Sequence, residues 1–249
     1  MMDEEMIIGK NPVFEALKSN RTINKILISN QLNERVEKEL KQSIIKKNTV
    51  LQKVPRQRLD QLTKGKHQGM IAYVSSYEYV SVQTILANAK AKNEEPFIVI
   101  LDELEDPYNL GAILRTADAT GVHGVIIPKR RAVGLTNTVA KASAGAIEHI
   151  PVARVTNIVQ VIKQLQKDNV WIIGTDESAT KDYRTIDATI PIAIVIGNEG
   201  KGISRLVKEN CDWTIHLPMK GSIPSLNASV AGSLLMYEVY RKRNPIGEP

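Results

Sequence analysis

The chain has 249 residues, 43% of them hydrophobic and 24% charged, which are the proportions of a globular protein and exclude a disordered or fibrous one. A single cysteine, Cys211, excludes an intramolecular disulfide and a thiolate metal cluster, and no apolar run approaches the length that spans a bilayer. The formal charge of +6 is concentrated in residues 1–80, which hold 14 Lys+Arg against 9 Asp+Glu, an excess that points to a polyanionic partner, most simply nucleic acid.

In chain order, the start is acidic and lacks the basic and apolar regions of a signal peptide, so a cytoplasmic location is expected. Asn11-Pro12 opens a helix with Val13 and Leu17 on one face. Residues 23–29 read as a strand. Residues 33–47 read as a helix, with Val36, Leu40 and Ile44 at helical spacing. A strand at 49–54, a short helix at 56–62 and a strand at 70–74, entered through His67-Gln68-Gly69, complete a small α/β module over residues 5–78. Residues 79–96 are read as a linker carrying one helix at 81–91, ending in the polar run before Pro96.

From Phe97 onward, strand and helix alternate. Strands are expected at 97–101, 125–128, 148–155, 170–175, 192–196 and 213–217. Helices are expected at 109–121, 136–145, 158–168, 204–210 and 227–243. The alternation implies βαβ units and a mostly parallel sheet covered on both faces, so residues 97–249 form an α/β domain. The run Ile192-Ala193-Ile194-Val195-Ile196 is apolar throughout, as a strand buried on both faces must be. It stops at Gly197-Asn198-Glu199-Gly200-Lys201-Gly202, three glycines around one carboxylate. The strand ending at Leu217 likewise runs into a Gly/Ser/Pro-rich loop and then a long helix from Asn227. Ligands sit beyond the carboxyl ends of strands in open α/β sheets, so these two loops are the leading site.

The first strand of the series lacks G-x-G-x-x-G after it, and no Walker or G-x-S-x-G pattern occurs. A plain dinucleotide enzyme, a P-loop enzyme and an α/β hydrolase are therefore disfavoured. The four histidines are scattered without ligand spacing, and no metal is expected. Cys211 lies beside acids, and is read as structural. Arg115 follows Ile113 and Leu114 and precedes Ala117. A guanidinium among core-facing residues needs an anionic partner, either an internal carboxylate or a substrate phosphate.

Three segments, Asn109-Leu-Gly-Ala-Ile-Leu-Arg115, then Ile196-Gly-Asn-Glu-Gly-Lys-Gly202, then Leu217-Pro-Met through Ser225-Leu-Asn227-Ala-Ser229, resemble the three ordered motifs of the SpoU/TrmH family of RNA ribose 2′-O-methyltransferases, within the SPOUT class. The basic module resembles that family's ribosomal-protein-like RNA-binding domain. The two-domain layout is most similar to bacterial enzymes that methylate a guanosine ribose of 23S rRNA. The resemblance implies a trefoil-knotted methyltransferase domain and an S-adenosyl-L-methionine site around Gly174, Thr175, Gly197, Leu217 and Leu226. It also implies a homodimer with the active site completed across the interface, and 23S rRNA as the RNA partner. A tRNA methyltransferase of the same family and a non-catalytic RNA-binding protein are the alternatives.

The resemblance assigns catalysis to Arg115, Asn109, Glu199, Ser225 and Asn227. A guanidinium is poorly suited to act as a base, so Arg115 is expected to hold a phosphate and stabilise alkoxide charge. Asn109 and Asn227 would orient the ribose or Arg115, Glu199 would hold those side chains, and Ser225 would donate to a phosphate.

Overall fold

The structure, a computed structural model, describes residues 5–18, 22–45, 49–75, 77–222 and 225–246. The chain divides into two compact units, Met1–Glu78 with Gly134–Asn137, and Tyr79–Val133 with Thr138–Pro249.

The first unit runs β1 (Glu5–Ile8), α1 (Lys10–Lys18), β2 (Thr22–Ser29), α2 (Glu34–Ile44), β3 (Val50–Val54), α3 (Arg56–Leu62) and β4 (Met70–Ser75). Its sheet has the order β1-β4-β2-β3, with only β2 and β3 parallel. Ile26 and Ile28 pack with Val13, Leu17 and Leu40 on one face, while Leu27 packs with Leu59 and Ile71 on the other. A segment covered on both faces has no polar alternation, which is why β2 carries the unbroken run Ile26-Leu27-Ile28. Buried His67 accepts the Gly69 N–H at Nδ1 (3.0 Å) and meets Asp60 through Nε2 (2.8 Å), fixing the turn into β4. No strand is expected before the helix at Asn11-Pro12, but Glu5–Ile8 pairs with β4 as an edge strand. The end of the helix expected at 33–47 lies outside the described residues.

The second unit comprises α4 (Val82–Ala91), β5 (Phe97–Leu101), α5 (Pro107–Ala119), β6 (Gly124–Pro128), α6 (Asn137–Ala142), β7 (Val152–Val155), α7 (Ile158–Lys167), β8 (Trp171–Thr175), β9 (Lys181–Asp182), β10 (Ile192–Ile196), α8 (Arg205–Glu209), β11 (Trp213–His216) and α9 (Ala228–Arg243). The seven strands lie in the order β7-β6-β5-β10-β8-β11-β9, and every pairing is parallel. All their carboxyl ends therefore meet one edge. Ile98, Ile100, Val195 and Ile172 face a core built with Ile85, Ile162, Leu165 and Val207 from α4, α7 and α8. On the other face, α5 and α9 lie against each other, and Gly232 of α9 leaves so little room that a Cβ there would stand 2.8 Å from Ile196 Cδ1.

The stretch read as a linker carries α4, whose Ser81 accepts the Thr84 N–H (3.0 Å) as its cap. Ile85 lies so close beneath β6 that a Cβ on Gly124 would come within 2.5 Å of it. The strand expected at 148–155 forms only from Val152. Before it, Ala146–Glu148 makes a 3-10 turn after left-handed Ala144 and Gly145, which also end α6 at Ala142. The two-residue β9 was not anticipated; its short length carries no periodic signal. At the opposite end of the sheet from the strand termini, Arg243 donates to the carbonyls of Glu95 (2.6 Å), Ala188 (2.8 Å) and Ile190 (3.1 Å) and lies 5.5 Å over the Phe97 ring. The last turn of α9 thus fastens the entrances of β5 and β10.

Candidate active site

Three neighbouring strands, β10, β8 and β11, end at Ile196, Thr175 and His216. Beyond them lies a cavity of about 740 Å³, within the usual range for a small-molecule site. One wall is the loop after β10. Asn198 N–H donates to the Gly202 carbonyl (3.0 Å) and Gly202 N–H returns to Asn198 (2.8 Å), closing a tight turn with Gly202 at φ +66°. Gly197 has no space for a side chain: a Cβ would stand 2.1 Å from the Gly202 carbonyl carbon and 2.3 Å from Ile203 N. Both are backbone atoms and neither can swing aside. Gly197→Ala is expected to cost about 1–3 kcal/mol and to deform this wall; thermal melting and ligand titration together check it.

Glu199, carried by that turn, gathers the other two motifs. Its Oε1 accepts from Asn109 Nδ2 (2.5 Å), Asn227 Nδ2 (2.5 Å) and, more weakly, Ala228 N–H (3.4 Å). Asn227 Nδ2 also reaches Asn109 Oδ1 (3.0 Å). Each asparagine is held by its own helix. Asp106 caps α5 by accepting the Asn109 N–H (3.1 Å), and Asn227 caps α9 through Oδ1, accepting from Ser229 (3.0 Å) and Val230 (3.3 Å). α5 starts at Pro107, two residues before the expected position, and Asp106 fills its N-cap, which frees the Asn109 side chain for the triangle. A carboxylate beside the first turn of α9 is also favoured by the helix dipole.

Thr175, Gly197, Glu199, Leu217, Ser225 and Leu226 line the cavity. Asn109 and Asn227 reach it through Glu199. Gly174 lies behind the wall, where a Cβ would strike Ile203 (2.8 Å) and Cys211 Sγ (2.9 Å). Arg115 corrects the sequence reading. It is exposed on α5, does not line the cavity, and makes no hydrogen bond or ion pair among the described residues. Buried neighbours in sequence sit on another face of the helix, so no internal carboxylate is required.

Sequence reasoning missed the opposite wall. Asp176 accepts from Ser178 N–H (2.8 Å) and Oγ (2.6 Å) and pairs with Lys208. Burial pushes its pKa up, but the Lys208 ammonium and the Ser178 bonds outweigh that and hold it below the usual value. His216 also lines the cavity, and its Nδ1 is buried with no hydrogen-bond partner among the described residues. An unpaired buried polar atom of this kind carries a desolvation cost. Nothing in these residue types announced the wall; the fold assembles it from strand ends.

Among the described residues no group of three His, Cys, Asp or Glu is placed to hold a metal ion, and no helix is long and apolar enough to cross a membrane. Cys211 is partly buried behind Gly174, and burial, helped by Asp212 and Asp102, pushes its thiol up to about 12. Alkylation of the folded protein at pH 8 is expected to run about a thousandfold slower than in denaturant, because the thiolate fraction falls with each unit of that rise.

The profile described as the SpoU rRNA Methylase family matches residues 96–237, and that described as RNA 2′-O ribose methyltransferase substrate binding matches residues 6–80. YacO of Bacillus subtilis, named for the TrmH family of tRNA/rRNA methyltransferases, is 55% identical over 244 residues, 98% of each chain. A TrmH family relative from Staphylococcus saprophyticus is 52% identical over 99% of each. Among solved structures, the SpoU methyltransferase AviRb of Streptomyces viridochromogenes, in complex with AdoMet, is 26% identical with a TM-score of 0.61, covering 97% of this chain and 91% of that one. The TrmH/SpoU tRNA modifying enzyme of A. aeolicus is 30% identical with a TM-score of 0.55, covering 60% and 76%. The three motif segments that meet at Glu199 thus lie in a chain that belongs to the SpoU/TrmH family of RNA methyltransferases.

Proposed function

We propose that this protein uses S-adenosylmethionine to methylate a ribose 2′-oxygen, of a guanosine, in 23S rRNA. The observation that carries the reading is the meeting of Asn109, Glu199 and Asn227 beside a cavity of cofactor size. The cavity suits the cofactor. Its glycine wall offers main chain at close range, and Glu199 and Glu177 place carboxylates on its lining. When bound, the cofactor supplies an already activated methyl group, so alignment is the protein's main task. Glu199 fixes both asparagine amides, and these orient the ribose hydroxyl. Ser225 donates to a substrate phosphate, and Arg115 holds a phosphate and stabilises the developing alkoxide. The knotted threading of the loops after β10 and β11 belongs to the same reading.

A second copy completes the site. Val230, Leu234 and Tyr237 form an exposed stripe on α9 at i, i+4 and i+7, with Tyr240 beyond. A contiguous apolar face of this kind fits burial against another copy. Arg115, exposed on adjacent α5, then serves the other copy's cavity. The first unit, residues 5–78, binds the RNA, and its separate presence favours rRNA over tRNA. A cytoplasmic location follows from that substrate. Ribose methylation mapped across rRNA and tRNA, with and without the gene, tests the proposal: loss of one 23S position supports it, and loss of a tRNA position moves the substrate to tRNA. Analytical ultracentrifugation tests the dimer.

A further inference from the structure

The same edge of the sheet carries a cluster of cations outside the cavity. β6 ends at Pro128, and Lys129-Arg130-Arg131 follow it. Lys129 N–H donates to the Val155 carbonyl (2.8 Å), and the Lys129 carbonyl accepts from Arg154 Nη2 (3.2 Å). The Lys129 main chain is thereby anchored beside buried Arg154, whose guanidinium lies 5.5 Å over the Tyr79 ring. Lys129 is partly buried, and its ammonium makes no hydrogen bond or ion pair among the described residues. Burial, and after it the nearby Arg154, push the Lys129 ammonium below its ordinary value, and no carboxylate counters them. Arg130 is exposed and likewise unpaired. Arg131 adopts a left-handed backbone (φ 54°), which an ordinary side chain seldom takes. Its guanidinium meets Glu103 Oε1 at 2.7 Å. The Glu103 carbonyl in turn accepts Asn198 Nδ2 (3.3 Å), tying this tract to the cavity wall.

A solvated basic loop has no reason to desolvate an ammonium beside a guanidinium. An anion at the Lys129 ammonium offsets that repulsion and gives the ammonium a partner. We propose that Lys129, Arg130 and Arg131 form a docking site for RNA backbone phosphates flanking the reacting ribose. The proposal rests on the reading of the cavity as a methyltransferase site. Glu103 aims the Arg131 fork, Lys129 supplies a preset point charge, and Arg130 reaches the next phosphate.

The test uses the full chain with bulk rRNA and bulk tRNA as probes. In Lys129→Gln/Arg130→Gln, RNA affinity at low salt is expected to fall tenfold or more. The slope of log K against log salt should fall by about 1.4 to 1.8, the share of two phosphate contacts. KM for RNA should rise more than kcat falls, while calorimetric cofactor affinity and melting stay at wild type. Arg130→Lys should keep the salt slope. An unchanged slope and KM in the double variant overturn the docking site, and so does a variant that melts early and loses cofactor, because the loop would then be structural. If the wild type itself methylates neither RNA, the proposed function falls, whereas the salt slope still tests the phosphate contacts.

Discussion

Glu199→Ala is expected to lower the single-turnover methylation rate by about two orders of magnitude while leaving the fold in place. The reason lies in what each asparagine keeps. Asn227 Oδ1 still caps α9 and Asp106 still caps α5, so neither helix loses its first turn. Glu199 itself is exposed, so its loss leaves no deep vacancy. What disappears is the shared acceptor that sets both amides, and about 2.7 kcal/mol of lost alignment is a hundredfold in rate. Cofactor affinity should weaken less, because the carboxylate only borders the cavity. Glu199→Gln keeps one carbonyl oxygen but gives up charge-assisted bonds of roughly double strength, so it should fall between the two. Stopped single turnovers, titration calorimetry and melting curves on the three proteins check this. A variant that unfolds early would make the triangle a structural clasp.

Arg115→Ala should cost a hundredfold or more in rate, the scale for losing one preorganised charge-stabilising donor. The sequence left open whether such a change acts through stability, and the structure closes that route: Arg115 is exposed, without an internal partner among the described residues. Melting temperature and cofactor affinity should therefore match wild type. Arg115→Lys keeps the charge but loses the fork, and should recover only part of the rate. If Arg115 acts at the cavity of a second copy, mixing Arg115→Ala with Glu199→Ala should restore activity, since a mixed dimer holds one intact pairing of arginine and cavity. A mixture as inactive as its components would place Arg115 in its own chain's site or remove it from catalysis.

The residues that could be read from sequence are those whose environment is local or uniform. β5 and β10 are buried along all five positions, and a strand covered on both faces must be apolar throughout. α7, expected at 158–168, forms at Ile158–Lys167 with Ile158, Ile162 and Leu165 buried. Edge strands escaped because β1 and β9 depend on hydrogen bonds to a partner strand and not on a pattern of their own. Arg115 misled because residues adjacent in sequence lie 100° apart on a helix, so Leu114 can be buried while its neighbour is in water. The glycine loops pointed to the cavity, whereas the wall formed by Asp176, Lys208 and His216 is created only when strand ends distant in sequence arrive side by side.

The placement of β10 between β5 and β8 has a consequence for the birth of the protein. As the chain leaves the ribosome, β5 meets β6 early but waits for its other neighbour, β10, almost a hundred residues away, and its entrance is fastened only when Arg243 emerges. Pairings between such distant segments are slow to form and leave apolar edges open meanwhile. The first unit, whose strands are all made by residue 75, is free to fold during synthesis. The second acquires its cavity last, so a nascent or truncated chain should bind RNA before it can bind cofactor.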